Sequence, residues 1–319
     1  MKKLFNIKYQ PVKIDDFELD LHLIRLLKNM IMMDNLSLML IGNSGSGKST
    51  LINVLINEYY KNIDKHEKNN NIMVINTLKE QGIQYYRHEV KTFCQIPSSL
   101  KNKKKIVILD DIDLINEQSQ QVFRNCMDKY SHNVHFICSC VNTQKVIESI
   151  QSRMINIKLS PFTKENLRKI LLKIKNNENI NINEESVDFI LDISNNSIRI
   201  LINYMEKFKL LNQQINNNIV NKLCTNINFS DFDKYLKFCI SNNLEKAVDI
   251  IMNIYDNGFS VIDILDNFFI FVKVNNLISE EHKYELIKLL CKYITIFHNV
   301  HEDEIELCLL TNNIVNLFV

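Results

Sequence analysis

The chain has 319 residues, with 38 basic against 37 acidic side chains and a formal net charge of +1. That balance excludes nucleic-acid binding through bulk charge, though not through a local basic surface. Hydrophobic residues make up 46% and charged residues 24%, which excludes wholesale disorder and leaves room for two or three domains; with only 5 glycines and 3 prolines, collagenous, linker-rich and turn-dense all-β architectures are disfavoured too.

In chain order, residues 18–34 place Leu19, Leu21, Leu23, Ile24, Leu26, Leu27 and Met30 at helical spacing, which predicts an amphipathic helix. Leu36–Ile41 is a short apolar run ended by glycine, as a buried strand would be, and 49–60 returns to helical spacing. The polar stretch 60–71 predicts a solvated loop or helix end. Short apolar runs at 72–75, 106–109, 134–141 and 155–159 predict further strands, separated by helices over 82–93, 117–130 and 147–154. Strands alternating with helices at this spacing indicate βαβ units and a parallel sheet. After Pro161 only helical periodicity continues, through 163–175, 184–193, 197–211 and 219–223 and on to the C-terminus, with Asn-rich connections at 176–183 and 212–218 and a break near 225–229.

The eight cysteines form no C-x-x-C pair, and the basic Met1–Asn6 start lacks the apolar run of a secretory signal. Reduced thiols in an intracellular compartment are expected, with Cys138 and Cys140 as small buried hydrophobes on one strand face. No stretch approaches ~18 uninterrupted apolar residues, so no membrane span is expected.

The strongest motif is Gly42-Asn43-Ser44-Gly45-Ser46-Gly47-Lys48-Ser49, which matches G-x-x-x-x-G-K-[ST] between a strand and a helix. Glycines let backbone N–H groups curl around phosphate oxygens, and the helix that follows, with Thr50 in its first turn, offers its dipole to the anion. Lys48 is placed to reach the β- and γ-phosphates of ATP and Ser49 to ligate Mg²⁺. Three of the five glycines fall in these eight residues. The second half of such a site is Ile106-Val107-Ile108-Leu109-Asp110-Asp111, a buried strand ending in carboxylates at the edge where open parallel sheets bind ligands. Asp110 is suited to hold Mg²⁺, and Asp111 to polarise an attacking water.

With both motifs in place, the chain resembles the small subunits of replication factor C clamp loaders, within the AAA+ ATPases. Lys8-Tyr9-Gln10-Pro11 resembles the family's K-Y-R-P opening, which implies that Tyr9 and Pro11 lie near the adenine. NTLKEQGI from Asn76 resembles N-A-S-D-E-R-G-I, and Lys105–Ser131 resembles the Walker B strand and its following helix. KVIESIQSRM from Lys145 resembles K-I-I-E-P-I-Q-S-R-C, so Ser152-Arg153 matches the pair that supplies an arginine finger to a neighbour's ATP. Asn196-Ser197-Ile198-Arg199 resembles G-D-M-R, which makes Arg199 the sensor-2 arginine. Guanidinium suits both jobs, because transition-state γ-phosphate charge needs fixed positive partners that keep their proton.

The chain departs from the family at two positions. The usual Asp-Glu is Asp110-Asp111 here, one methylene short, and the sensor-1 asparagine is matched by Val141 with Asn142 beside it. Either the register slips by one and Asn142 serves, or the polar sensor is missing; both changes point to slow hydrolysis with binding intact.

The resemblance implies an α/β P-loop AAA+ domain over residues 1–160, a helical lid over 161–226 and an all-helical collar over 227–319. It implies an ATPase in a hetero-oligomeric ring of five that uses ATP and Mg²⁺ to load a sliding clamp onto primer–template DNA, in the nucleus or cytoplasm, or the host cytoplasm for a viral chain. DNA would be held without sequence preference, with Arg87, His88, Lys91, Arg124 and Lys129 as contacts; from charge alone the favoured reading of these is a solvated helix face. The alternatives are a subunit that binds ATP with little turnover, and another AAA+ remodeller or helicase loader.

Overall fold

Four apolar runs, each bounded by polar or glycine residues, pair side by side into an all-parallel sheet, joined at one edge by a fifth strand. The computed structural model describes residues 4–76, 83–194, 196–211, 213–216, 219–220, 223, 227, 229–275, 278–299 and 303–318. The strands are β1 (Leu38–Ile41), β2 (Ile72–Asn76), β3 (Lys105–Asp110), β4 (Val134–Cys140) and β5 (Ile155–Lys158), in the order β2-β3-β4-β1-β5. Register pairs Leu38 with Ile137 and Ile155, and Ile106 with Ile72 and His135.

Alternation of side chains along each strand makes two cores. Leu38, Leu40, Ile106, Ile108, Ile137 and Ile157 face one side, where they pack with Leu27 of α2 (Leu21–Met32) and with Leu51 and Leu55 of α3 (Lys48–Tyr59). Met39, Val107, Leu109, Phe136 and Cys138 face the other, with Phe123 and Met127 of α7 (Glu117–Tyr130) and with Tyr86 and Val90. Asn116 caps α7 by accepting from the Ser119 N–H at 2.9 Å.

Several expectations are refined. The helix expected over 82–93 consists of α5 (Ile83–Tyr85), a π-helical turn (Tyr86–Val90) and α6 (Lys91–Gln95). The polar stretch 60–71 contains a short helix, α4 (Lys65–Asn70), with no buried residue. The helix expected over 147–154 shortens to α8 (Glu148–Gln151). The connection expected from 176 starts later, because α9 (Lys164–Glu178) runs on until Asn179 adopts φ 51° and caps it. Residues 77–82, which carry most of the NTLKEQGI match, and most of the break near 225–229 lie outside the described residues.

By contacts the chain forms two compact units. One comprises residues 1–181 and 196–213, and the other 182–195 and 214–319. The first holds the sheet, α9 and α11 (Ile198–Leu211); the second holds α10 (Glu184–Ile193), a bridge between Ile182 and Ile215, and five helices within 229–318. The segment 161–226, expected as a lid, is thus shared between the two. The second unit has its own core, in which Phe232, Tyr235 and Phe268 are fully buried. No described helix is long and apolar enough to cross a membrane.

Candidate nucleotide site

The turn between β1 and α3 requires its glycines. Gly45 and Gly47 have φ of 79° and 88°, a region that side chains other than glycine's rarely tolerate. A Cβ on Gly42 would lie 2.8 Å from Ser46 Oγ and 3.2 Å from the Leu159 carbonyl. The turn curls Lys48 back on itself: its ammonium donates to the carbonyls of Gly42 at 2.8 Å and Asn43 at 3.1 Å, and the residue is only 7% exposed. No ion pair neutralises it among the described residues. Ser46 Oγ is buried with no protein partner. A buried cation and an orphaned hydroxyl in one turn fit an oxygen-rich anion.

Beside the turn, Ser49 Oγ donates to both carboxylate oxygens of Asp110, at 3.0 and 3.3 Å. These hard oxygen donors suit Mg²⁺. β1 and β3 are not neighbours, since β4 lies between them, and a β4 hydroxyl fills that gap. Ser139, fully buried, donates to Asp110 Oδ1 at 2.5 Å and accepts from the Asp111 N–H at 2.9 Å. Asp111 itself sits at φ 54°. Burial, followed by the adjacent Asp110 charge, pushes its carboxyl above the usual range.

A cavity of about 1050 Å³ opens over the turn. Ser44, Gly45, Gly47, Lys48, Ser49 and Thr50 form its floor. Tyr9, Pro11, Phe17, Ile170, Ile174 and Ile202 give it an apolar wall suited to a flat base, and Asp111, Asp113 and Arg199 reach it too. The Tyr9 hydroxyl donates to Glu178 at 2.7 Å, and burial together with that carboxylate pushes its pKa up to about 12. Arg199 is exposed and has no ion-pair partner among the described residues. Gly42, Asn43 and Ser46 shape the turn from behind.

Two expected residues lie elsewhere. Asn142 does not reach the cavity: its side chain accepts from the Gln144 N–H at 2.9 Å and caps a short 3₁₀ turn, while Val141 lines the cavity. Asp113 Oδ2 accepts from the N–H groups of both Val141 and Asn142, at 3.2 and 3.0 Å, and fixes that backbone. Arg153 also lies outside this cavity, just beyond the end of α8.

Residues 38–161 match the model of the ATPase family associated with various cellular activities, and residues 227–293 match that of the replication factor C C-terminal domain. A protein of Acanthamoeba polyphaga mimivirus named as a replication factor C small subunit is 29% identical over 284 residues, 88% of this chain and 87% of that one. The replication factor C small subunit of Methanococcus vannielii is 29% identical over 90% of each chain, and replication factor C subunit 4 of Schizosaccharomyces pombe 28% identical over 88% of this chain and 82% of its own. The chain thus carries an AAA ATPase domain and a replication factor C C-terminal domain, and it is similar to replication factor C small subunits over most of its length. The Holliday-junction branch-migration motor RuvB of Thermotoga maritima shares the fold, with a TM-score of 0.55 and 17% identity over 73% of this chain and 79% of that one. With its AAA ATPase domain, the chain is a nucleotide-binding ATPase.

Two site residues escaped the sequence reading. Ser139 is a lone hydroxyl between two cysteines in an apolar strand, and that break in the run was its only signal. Asp113 follows the acidic pair by two, and its role as backbone anchor appears only in three dimensions.

Proposed function

We propose that the chain is an ATP-hydrolysing subunit of a clamp-loader ring that loads a sliding clamp onto primer–template DNA. The observation that carries this reading is the Lys48–Ser49–Asp110 cluster under a base-sized cavity, in a chain that also has the replication factor C C-terminal domain. ATP would sit with its phosphates on Gly42–Thr50 and its base against Tyr9 and Pro11. Ser49 and Asp110 would hold Mg²⁺, which neutralises phosphate charge when bound. Lys48 orients the terminal phosphates, and Asp111 orients the attacking water and accepts its proton. Arg199 adds positive charge from the chain's own α11, and Arg153 adds it to a neighbour's site in a five-membered ring. The basic residues Arg87, His88 and Lys91 are exposed, which supports sequence-independent DNA contacts. The site of action is the nucleus or cytoplasm, or the host cytoplasm for a viral chain.

Lys48→Ala in the reconstituted ring should abolish both nucleotide binding by this chain and its contribution to clamp loading. Full binding of a fluorescent ATP analogue by that variant overturns the reading.

A second reading, a subunit that binds ATP with little turnover, is favoured by the short Asp111 side chain and by Val141 in the cavity wall. Single-turnover hydrolysis at this site separates the two: Asp111→Asn should reduce the rate at least tenfold if the site turns over, and leave it unchanged if it does not.

A further inference from the structure

Arg153 is not loose. Its Nε and Nη2 donate to the two carboxylate oxygens of Asp128, at 2.5 and 3.3 Å, and its Nη1 donates to the Ser149 carbonyl at 2.5 Å. A guanidinium has five N–H donors in a rigid plane. Three are engaged, which leaves one N–H on each of Nη1 and Nη2. Both are on the terminal nitrogens of an exposed side chain, where a guanidinium can meet the oxygens of an anion. Asp128 also meets a second arginine, with Arg124 Nε 3.4 Å from its Oδ2. One carboxylate between two guanidiniums leaves the cluster net positive, so the tip of Arg153 keeps its attraction for an anion. The pairing holds Asp128 below the usual carboxylate range, through Arg153 first.

The backbone under Arg153 is equally fixed. Gln151 Nε2 donates to the carbonyls of Thr143 and Val146 at 3.0 and 2.7 Å, and the Ile147 N–H donates to Gln120 Oε1 of α7 at 2.9 Å. Asp128 lies in the last turn of that same helix, whose other end follows Asp110–Asp113. Arg153 is therefore braced at backbone and side chain by one rigid piece.

We propose that Asp128 is a positioning residue that presents Arg153 to the triphosphate of the neighbouring subunit. This rests on the reading of Arg153 as a finger acting in trans. The alternative, in which Asp128 parks the arginine and must release it, is disfavoured because two N–H donors on the terminal nitrogens remain after these three bonds.

The test uses the full chain assembled with its ring partners, with steady-state ATP hydrolysis measured in the presence of primed DNA. Arg153→Ala should lower kcat strongly. Asp128→Asn should lower kcat about tenfold with KM for ATP unchanged, since misplacement by ~1 Å can cost ~10²-fold. Asp128→Glu should recover most of the loss, and the double variant should be no worse than Arg153→Ala alone. If Arg153→Ala changes nothing, the finger reading fails. If Arg153→Ala lowers kcat while Asp128→Asn leaves it equal or higher, the positioning role is overturned and the finger reading stands. A second measurement needs no assembly: the Arg153 Nε–H proton should exchange slowly in the isolated chain and fast in Asp128→Asn. Fast exchange in the unmodified chain overturns the proposal.

Discussion

Asp111 is held against its own preferences. Its backbone lies at φ 54°, where asparagine is at least as comfortable, and its carboxylate is partly buried beside Asp110. Because its folded pKa is raised, the folded chain holds this proton more tightly than the unfolded chain does. Stability is therefore lost as pH rises from the ordinary aspartate value through the raised one, and stays lost above it. Asp111→Asn removes the charge and keeps the backbone, so it should raise the melting temperature at pH 7. That gain should shrink as pH falls and vanish below the ordinary aspartate range; a gain independent of pH would assign the effect to backbone preference instead. Functional strain of this kind is hidden in the sequence, where Asp110-Asp111 reads only as two acids after an apolar strand. Gly42–Ser49 was legible because its chemistry is local. Ser139, whose hydroxyl acts across to Asp110 and Asp111 at the end of the neighbouring strand, was not.

Among the elements, α7 is the brace of the site, and Gln120 makes it so. Fully buried, its Nε2 donates to the carbonyls of Ile112, Ile115 and Lys145 at 3.4, 2.9 and 2.9 Å, while its Oε1 accepts from Ile147 N–H. One amide thus ties the start of α7 to the segments on both sides of it. Gln120→Leu fills similar volume but strands several buried backbone groups, at about 1–3 kcal/mol for each left unpaired. A loss of about 3 kcal/mol or more in urea unfolding is expected, against less than about 0.5 kcal/mol for the exposed neighbour Gln121→Ala. Equal effects at the two positions would show that Gln120 is not the tie described. The limits of α7 were legible from its apolar spacing. Those of α4 were not, because a helix with no buried residue has no apolar stripe to read. The π-turn at Tyr86–Val90 was hidden too, since one extra residue per turn leaves the apolar spacing of Tyr86 and Val90 looking α-helical.

At the scale of the whole molecule, helical periodicity says that a segment is a helix but not which body it joins. The segment 182–195 belongs with 214–319 although 196–213 belongs with the sheet. The bridge from Ile182 to Ile215 within that unit has no sequence signature. Each unit owns a core, with the nucleotide cavity residues all in the first and Phe232, Tyr235 and Phe268 in the second, where ring centroids lie 5.2 and 5.3 Å from Phe268. Separate cores predict separable stabilities. A non-hydrolysable ATP analogue at ~100 times its dissociation constant should stabilise the first unit by ~2.7 kcal/mol. Phe268→Ala should destabilise the second by about 3–5 kcal/mol, through lost burial and the cavity left behind. Calorimetry of the full chain should then show two heat-absorption transitions, one moved upward by nucleotide alone and the other downward by Phe268→Ala alone. A single transition that shifts with both perturbations would mean that the two cores unfold as one, and that nucleotide at Lys48 is felt throughout the helical C-terminal unit.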